Sequence, residues 1–174
     1  MDTKILRKIS YGVYIVSSRK GERINAQTAN AVMQVTSDPP QFALGINKEN
    51  LTHEFIKESR VLAVSVLSQE APLNLIGKFG FKSGRKVDKF DGVSYRLGKN
   101  GCPVLQEHTV GYLECKVVKD LDAGTHTIFI GEVVDGQVFK EGEPMSYAYY
   151  HLVKRGTTPK TAPTYVETKK EEKQ

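Results

Sequence analysis

The stretch NAQTANAVMQVTSDPPQF, Asn25 to Phe42, decides how this chain folds. It alternates with the two-residue period of a strand. Yet Thr28, Ala29, Asn30 and Ala31 stand where a strand core takes Val or Ile. These side chains leave little bulk and much hydrogen-bonding capacity. They raise the question of what comes close to this backbone. The structural alternative is an edge strand whose polar residues face water.

More strands lie on either side. YGVYIVSS (Tyr11 to Ser18) is β-branched and aromatic and runs into a turn at Gly21, with a second strand from about Arg23. VMQVTS and QFALGIN are strands separated by Asp38-Pro39-Pro40, a tight connection without donors at the prolines. NLTHEFIKES (Asn50 to Ser59) reads as a short helix with Leu51, Phe55 and Ile56 on one face and Asn50 or Thr52 as its cap. VLAVSVLS reads as a strand buried on both faces, and APLNLIGKFGF as a second helix with Pro72 in its first turn. GYLECKVVKDLD and HTIFIGEVVDGQVF are long alternating strands joined by the turn residues DAGT. Many strands, few helices and no strand–helix alternation exclude a doubly wound sheet. A mainly β, antiparallel barrel with a few short helices follows, because closure removes exposed edges.

The chain has 174 residues, 39% hydrophobic and 26% charged, which suits one domain with a real core. No apolar run approaches the roughly 18 residues of a membrane span. The N-terminal MDTKILRKIS lacks a signal-peptide core, so a cytoplasmic protein is expected. The net charge of +5 is spread out and no nucleic-acid module signature is present. The densest basic run, GKFGFKSGRKVDKF (Gly77 to Phe90), is either a solvated loop or a local anion site. Cys102 and Cys115 are far apart, and the four histidines have no metal-ligand spacing. There is no nucleophile elbow and no Walker loop. The chemistry therefore needs a borrowed cofactor. The tail KRGTTPKTAPTYVETKKEEKQ is rich in Pro, Thr and charge and reads as a linker-like, mobile extension over 157–174, separable from a domain over 1–156.

In order along the chain, YGVYIVSS, NAQTANAV, TSDPPQFALGINKENLTHEFI, FGFKSGRKVDKFDGV and GTHTIFIGEVVD resemble the flavin reductase-like family. The likeness runs from about Tyr11 to Arg155 and is nearest to flavoredoxins, archaeal ferric reductase and the flavin domain of high-molecular-weight rubredoxins. It implies a Greek-key FMN-binding split barrel, FMN held noncovalently, and a homodimer. It also implies an oxidoreductase passing electrons from NAD(P)H through flavin to free flavin, ferric iron or a redox protein. The alternative within the family is a flavoredoxin-type carrier that exchanges electrons with partner proteins and does not oxidise NAD(P)H. A pyridoxamine-phosphate-oxidase-like binder shares the barrel but fits the motifs less well.

The resemblance also implies site residues. Gln27, Thr28, Ala29 and Asn30 meet the pyrimidine edge of the flavin. Asn47, Lys48, Asn50 and Thr52, with the helix start, form a phosphate cradle; an ordinary capped helix would use the same residues. Phe79, Phe81, Lys82 and Lys89 close over the cofactor, although both phenylalanines also suit a core. His126 lies where nicotinamide docks. Gly45 in ALGIN departs from the Ser or Cys of many relatives, which removes a thiol role there, and Cys115 reads as core or dimer surface. A tail of this kind leads into an iron-binding domain in the rubredoxins. Here the cysteines for one are missing, so, if the chain exchanges electrons with a rubredoxin-like partner, that partner is expected to be a separate protein.

Overall fold

β1 (Tyr14–Lys20) and β2 (Arg23–Ala29) form a hairpin whose two-residue loop begins with Gly21 at φ 58°. Only glycine takes that conformation freely, and a Gly-first hairpin turn requires it. β3 (Val32–Ser37) and β4 (Pro40–Asn47) follow, then α1 (Leu51–Ser59), β5 (Val61–Leu67) and α2 (Leu73–Phe81). A small hairpin of β6 (Tyr95–Leu97) and β7 (Pro103–Leu105) precedes the long pair β8 (Thr109–Ala123) and β9 (His126–Val138), and α3 (Tyr147–Leu152) ends the elements. The computed structural model describes residues 3–165.

Seven strands form one antiparallel sheet in the order β2-β1-β5-β8-β9-β4-β3. Its two edges, β2 and β3, are consecutive in the chain and joined only by Asn30 and Ala31. Three Cα steps of about 3.8 Å span at most ~11 Å. A flat sheet with six gaps of about 4.8 Å would hold its edges ~29 Å apart. The sheet must therefore curl until its edges nearly meet. The seam falls on the small, polar Thr28–Ala31 stretch, and the Gly45 N–H donates to Ala31 O (2.9 Å) across it. The architecture is the split β-barrel expected from sequence.

The pleat of β1 shows how the core divides. Val16 points inward with Leu44, Ile46, Leu62, Val64, Cys115 and Phe129, closed by Ile56 of α1. Ile15 points outward, yet it is equally buried, because α2 covers that face with Leu75, Ile76 and Phe79 and the β6–β7 region adds Phe90 and Leu105. Cys115 is thus core, and burial pushes its thiol, like that of Cys102, up to about 12. The β6–β7 hairpin and α3 add to the expected elements. Asn50 does occupy the N-cap of α1, but its side chain makes no capping hydrogen bond, and Pro72 is the N-cap of α2. Among the described residues, no helix is long and apolar enough to cross a membrane, and no cluster of three metal-ligating side chains occurs.

Candidate functional site

A cavity of about 640 Å³ opens at the seam. One wall is the free edge of β2. Ala26 turns its carbonyl away from β1, where it accepts from Lys89 Nζ (2.9 Å). By the alternation of an antiparallel ladder, Thr28 presents its N–H and C=O the same way. The Thr28 hydroxyl donates to Ile76 O (2.8 Å), which ties α2 along this edge. Gln27, Ala29 and Asn30 complete the wall. Gln27 is buried, and its Oε1 has no hydrogen-bond partner among the described residues.

A second wall is the start of α1. Asn50 lines the cavity with its side chain uncommitted to capping, and Thr52 Oγ1 accepts from Asn25 Nδ2 (2.8 Å). The first N–H groups of a helix lack intrahelical partners and carry partial positive charge. The loop after α2 wedges against this start: a Cβ on Gly84 would fall 2.0 Å from Asn25 Oδ1 and 3.2 Å from a Leu51 methyl carbon. Lys82 and Ser83 of that loop face the same space.

The two phenylalanines separate. Phe79 is core, packed edge-on to Phe90, and touches the cavity from within; Phe81 is exposed at its mouth. Lys89 is 6% exposed and donates to Ala26 O and Phe79 O (2.9 and 3.0 Å). It has no carboxylate partner among the described residues, and burial lowers its ammonium to about 8. It pins the basic loop to β2 and α2 while facing the cavity.

Lys48 is the one candidate that the structure does not bring to the cavity. Its ammonium pairs with Asp122 (2.7 Å) across the β8–β9 turn, and its N–H donates to Thr125 O. The phosphate-cradle expectation therefore loses Lys48. The reason is register: Asn47 faces the cavity opposite His126, so the next residue faces away.

Asn47 and His126 form a third wall, shared with a segment expected from its composition to stand apart. Residues 157–165 do not leave the domain but lie along the cavity. Asn30 Nδ2 donates to Thr164 Oγ1 (2.9 Å), Asn47 Nδ2 to Thr161 O (3.1 Å), and His126 Nε2 to Thr161 O (3.2 Å). α3 anchors this strap. Tyr147 OH bonds Thr158 Oγ1 and Thr164 Oγ1 (2.7 and 2.8 Å), and Tyr150 OH donates to Thr157 O (2.8 Å). Gly156 lets the chain pass: a Cβ there would lie 2.1 Å from the Tyr150 ring. The remainder of the expected tail, 166–174, lies outside the described residues. The sequence signal for the strap is Tyr147, Tyr150 and His151 at helical i, i+3, i+4 spacing just before the prolines.

A flavin nucleotide fits this donor set. The volume is that of a small-molecule site. The free β2 edge and the unpartnered Gln27 acceptor match the mixed donors and acceptors of a pyrimidine edge. The α1 start matches a phosphate.

Comparison with known proteins agrees. The chain is 57% identical over 173 residues to a high molecular weight rubredoxin of Moorella thermoacetica, covering 99% of this chain and 76% of that protein. It is 51% identical over 169 residues to a ferric-chelate reductase (NAD(P)H) of Archaeoglobus fulgidus, covering 97% and 100%. The solved NADH:FAD oxidoreductase of Streptomyces globisporus C-1027 superposes with a TM-score of 0.73 at 30% identity, over 83% of this chain and 88% of that one. The flavin reductase like domain matches residues 6–156, a span that takes in every β-strand and α-helix described above, and on it this chain belongs to the flavin reductase-like family.

Proposed function

We propose that this chain is an FMN-binding oxidoreductase that takes electrons from NAD(P)H through bound flavin and passes them to free flavin, ferric iron or a redox protein. The observation that carries the reading is the free edge of β2, which lines a cavity of about 640 Å³ beside the unpartnered Gln27 acceptor. Backbone groups of Thr28 and Asn30 and the Gln27 amide would hold the ring edge. The α1 start, Asn50, Lys82 and Ser83 would hold one phosphate, which favours FMN. Bound there, the flavin supplies the redox chemistry, accepting a hydride and releasing electrons singly or in pairs.

The protein's own task is orientation and exclusion of water. The Thr125 hydroxyl donates to His126 Nδ1 (2.9 Å), which leaves Nε2 as the N–H that faces the cavity. That donor suits the carboxamide of a docked nicotinamide. Absorbance and fluorescence titration with FMN and FAD tests the cofactor: an apo-protein that quenches neither refutes the reading. Anaerobic mixing of the loaded protein with NADH and with NADPH tests the activity through loss of flavin absorbance.

One observation favours the carrier reading, namely that the strap already covers His126. No bleaching by either nucleotide, with reduction by a reduced redox protein, selects it. The similarity to a protein named a rubredoxin supports a rubredoxin-like protein as partner. A homodimer is part of the proposal, supported by the exposed apolar side chains Val118, Leu121, Val134 and Val138 on the long β8–β9 pair. Light scattering at micromolar concentration gives twice the chain mass if it holds.

A further inference from the structure

Asn47 and His126 are direct cross-strand partners on β4 and β9, so their side chains rise side by side from one face. Each is held by a second hydrogen bond. Asn47 Oδ1 accepts from the Glu49 N–H (2.9 Å), which turns Nδ2 toward the cavity. The Thr125 hydroxyl does the same for His126 through Nδ1. Two oriented N–H donors thus converge on one point. The group at that point is the carbonyl oxygen of Thr161, at 3.1 and 3.2 Å. A peptide carbonyl and a carboxamide oxygen are the same acceptor chemically.

We infer that Asn47 and His126 form a two-donor subsite for a carboxamide oxygen, that the strap's Thr161 carbonyl is its internal occupant, and that docking of a nicotinamide displaces the strap. The inference rests on the nicotinamide reading of the site. It moves Asn47 from the phosphate cradle to the substrate side. It also gives the anchoring tyrosine a purpose. Tyr147 OH holds two of the strap's threonines, Thr158 and Thr164, and Thr158 also reaches His151 Nε2 (3.4 Å), so α3 keeps the strap close when its middle lifts. Lifting breaks the hydrogen bonds at Asn30, Asn47 and His126. The incoming carboxamide replaces the bonds to Asn47 and His126, so the exchange is near balance. A ligand that brings no carbonyl-type oxygen to that point replaces neither bond.

Lys160 is exposed and lies within the strap, next to Thr161. Tryptic cleavage after Lys160, read by mass spectrometry on the full FMN-saturated chain, follows the population of the lifted state. Oxidised NAD or NADP cannot reduce the flavin and serves as probe; ADP-ribose, which lacks the nicotinamide, is the comparator. The expected result is cleavage about threefold faster or more with a saturating oxidised dinucleotide and unchanged with ADP-ribose. Tyr147→Phe should raise cleavage about tenfold without ligand, since two strap hydrogen bonds are lost. Asn47→Ala should raise basal cleavage and abolish the response to dinucleotide. Equal acceleration by ADP-ribose overturns the inference, as does a strap that stays protected in a protein whose flavin NADH or NADPH still bleaches. The second result leaves the proposed function standing. Failure to bind flavin defeats the proposed function instead, and the cleavage response to dinucleotide still reads the subsite.

Discussion

Lys89→Met tests whether a cation is buried at the cavity wall. The native side chain is 6% exposed and, among the described residues, bonded only to two carbonyls, and its ammonium is lowered from the ordinary 10.5 to about 8 by loss of hydration. A lysine whose folded value lies below its unfolded value costs stability wherever it is protonated in both states, that is, below about pH 8. The gap of about 2.5 units corresponds to roughly 3 kcal/mol. That cost fades as pH rises from about 8 toward 10.5, because the folded protein sheds the proton first. Methionine has a similar shape and no charge, so the variant lacks this pH dependence. The wild type should gain about 2 kcal/mol on Lys89→Met between pH 7.5 and 9.5. Tyr14, Cys102 and Cys115 also titrate high because of burial, but both proteins share them and they cancel. The assay is urea unfolding of both chains at several pH values. At neutral pH the sign of the difference is set by the two orphaned carbonyls as well, so the slope is the readout. A stability difference that stays flat from pH 7.5 to 9.5 refutes the buried, unpaired cation.

Three further outcomes are expected. Asn50→Ala should leave stability almost unchanged, since the side chain caps nothing, but should weaken FMN about three- to tenfold while leaving riboflavin unaffected in a fluorescence titration. His126→Ala should retain flavin and slow reduction by NAD(P)H about three- to tenfold in kcat/KM, with the rate of flavin bleaching as the measurement. Thr28→Val removes the bond to Ile76 O that ties α2 to the β2 edge and should cost about 1 kcal/mol by chemical denaturation, with a parallel loss of flavin affinity.

The barrel was legible because its long strands alternate cleanly and its turns carry their own chemistry. Gly21 and Gly124 both take positive φ where hairpins needed them. The β6–β7 hairpin was not legible: three residues per strand hold too little alternation to register. In the site, the residues flanking the seam can be named from sequence only through the family resemblance of NAQTANAV, because Thr, Ala and Asn at strand positions suit an edge strand facing water better than they point to a ligand. Lys48 could not be sorted the same way. Its type suits a phosphate, but strand register turns it toward Asp122. Lys89 and Lys82 look alike in sequence, and only the fold distinguishes a pin buried in the wall from a charge at the mouth. The strap escaped for a related reason. Pro and Thr mark a segment that forms no regular element, but they do not tell whether its carbonyls meet water or waiting donors.

The position of the site follows from the one thing this barrel leaves unfinished. Along β1, β5, β8, β9 and β4 every strand has a neighbour on both sides, so backbone donors and acceptors are spent on the ladder. Within this sheet, among the described residues, β2 and β3 keep an unpaired edge, and a bare edge invites pairing with another chain. On β2 the protein covers this liability in pieces. α2 lies along it through Thr28, Lys89 takes the Ala26 carbonyl, and the strap fastens on Asn30 beside its end. These covers leave a gap of ligand size between them, lined by the groups that the ladder did not use. A bound flavin would then complete the edge as well as use it. Cofactor affinity and barrel stability are therefore linked: each substitution that loosens a cover should weaken both, and saturating flavin should recover part of the stability lost.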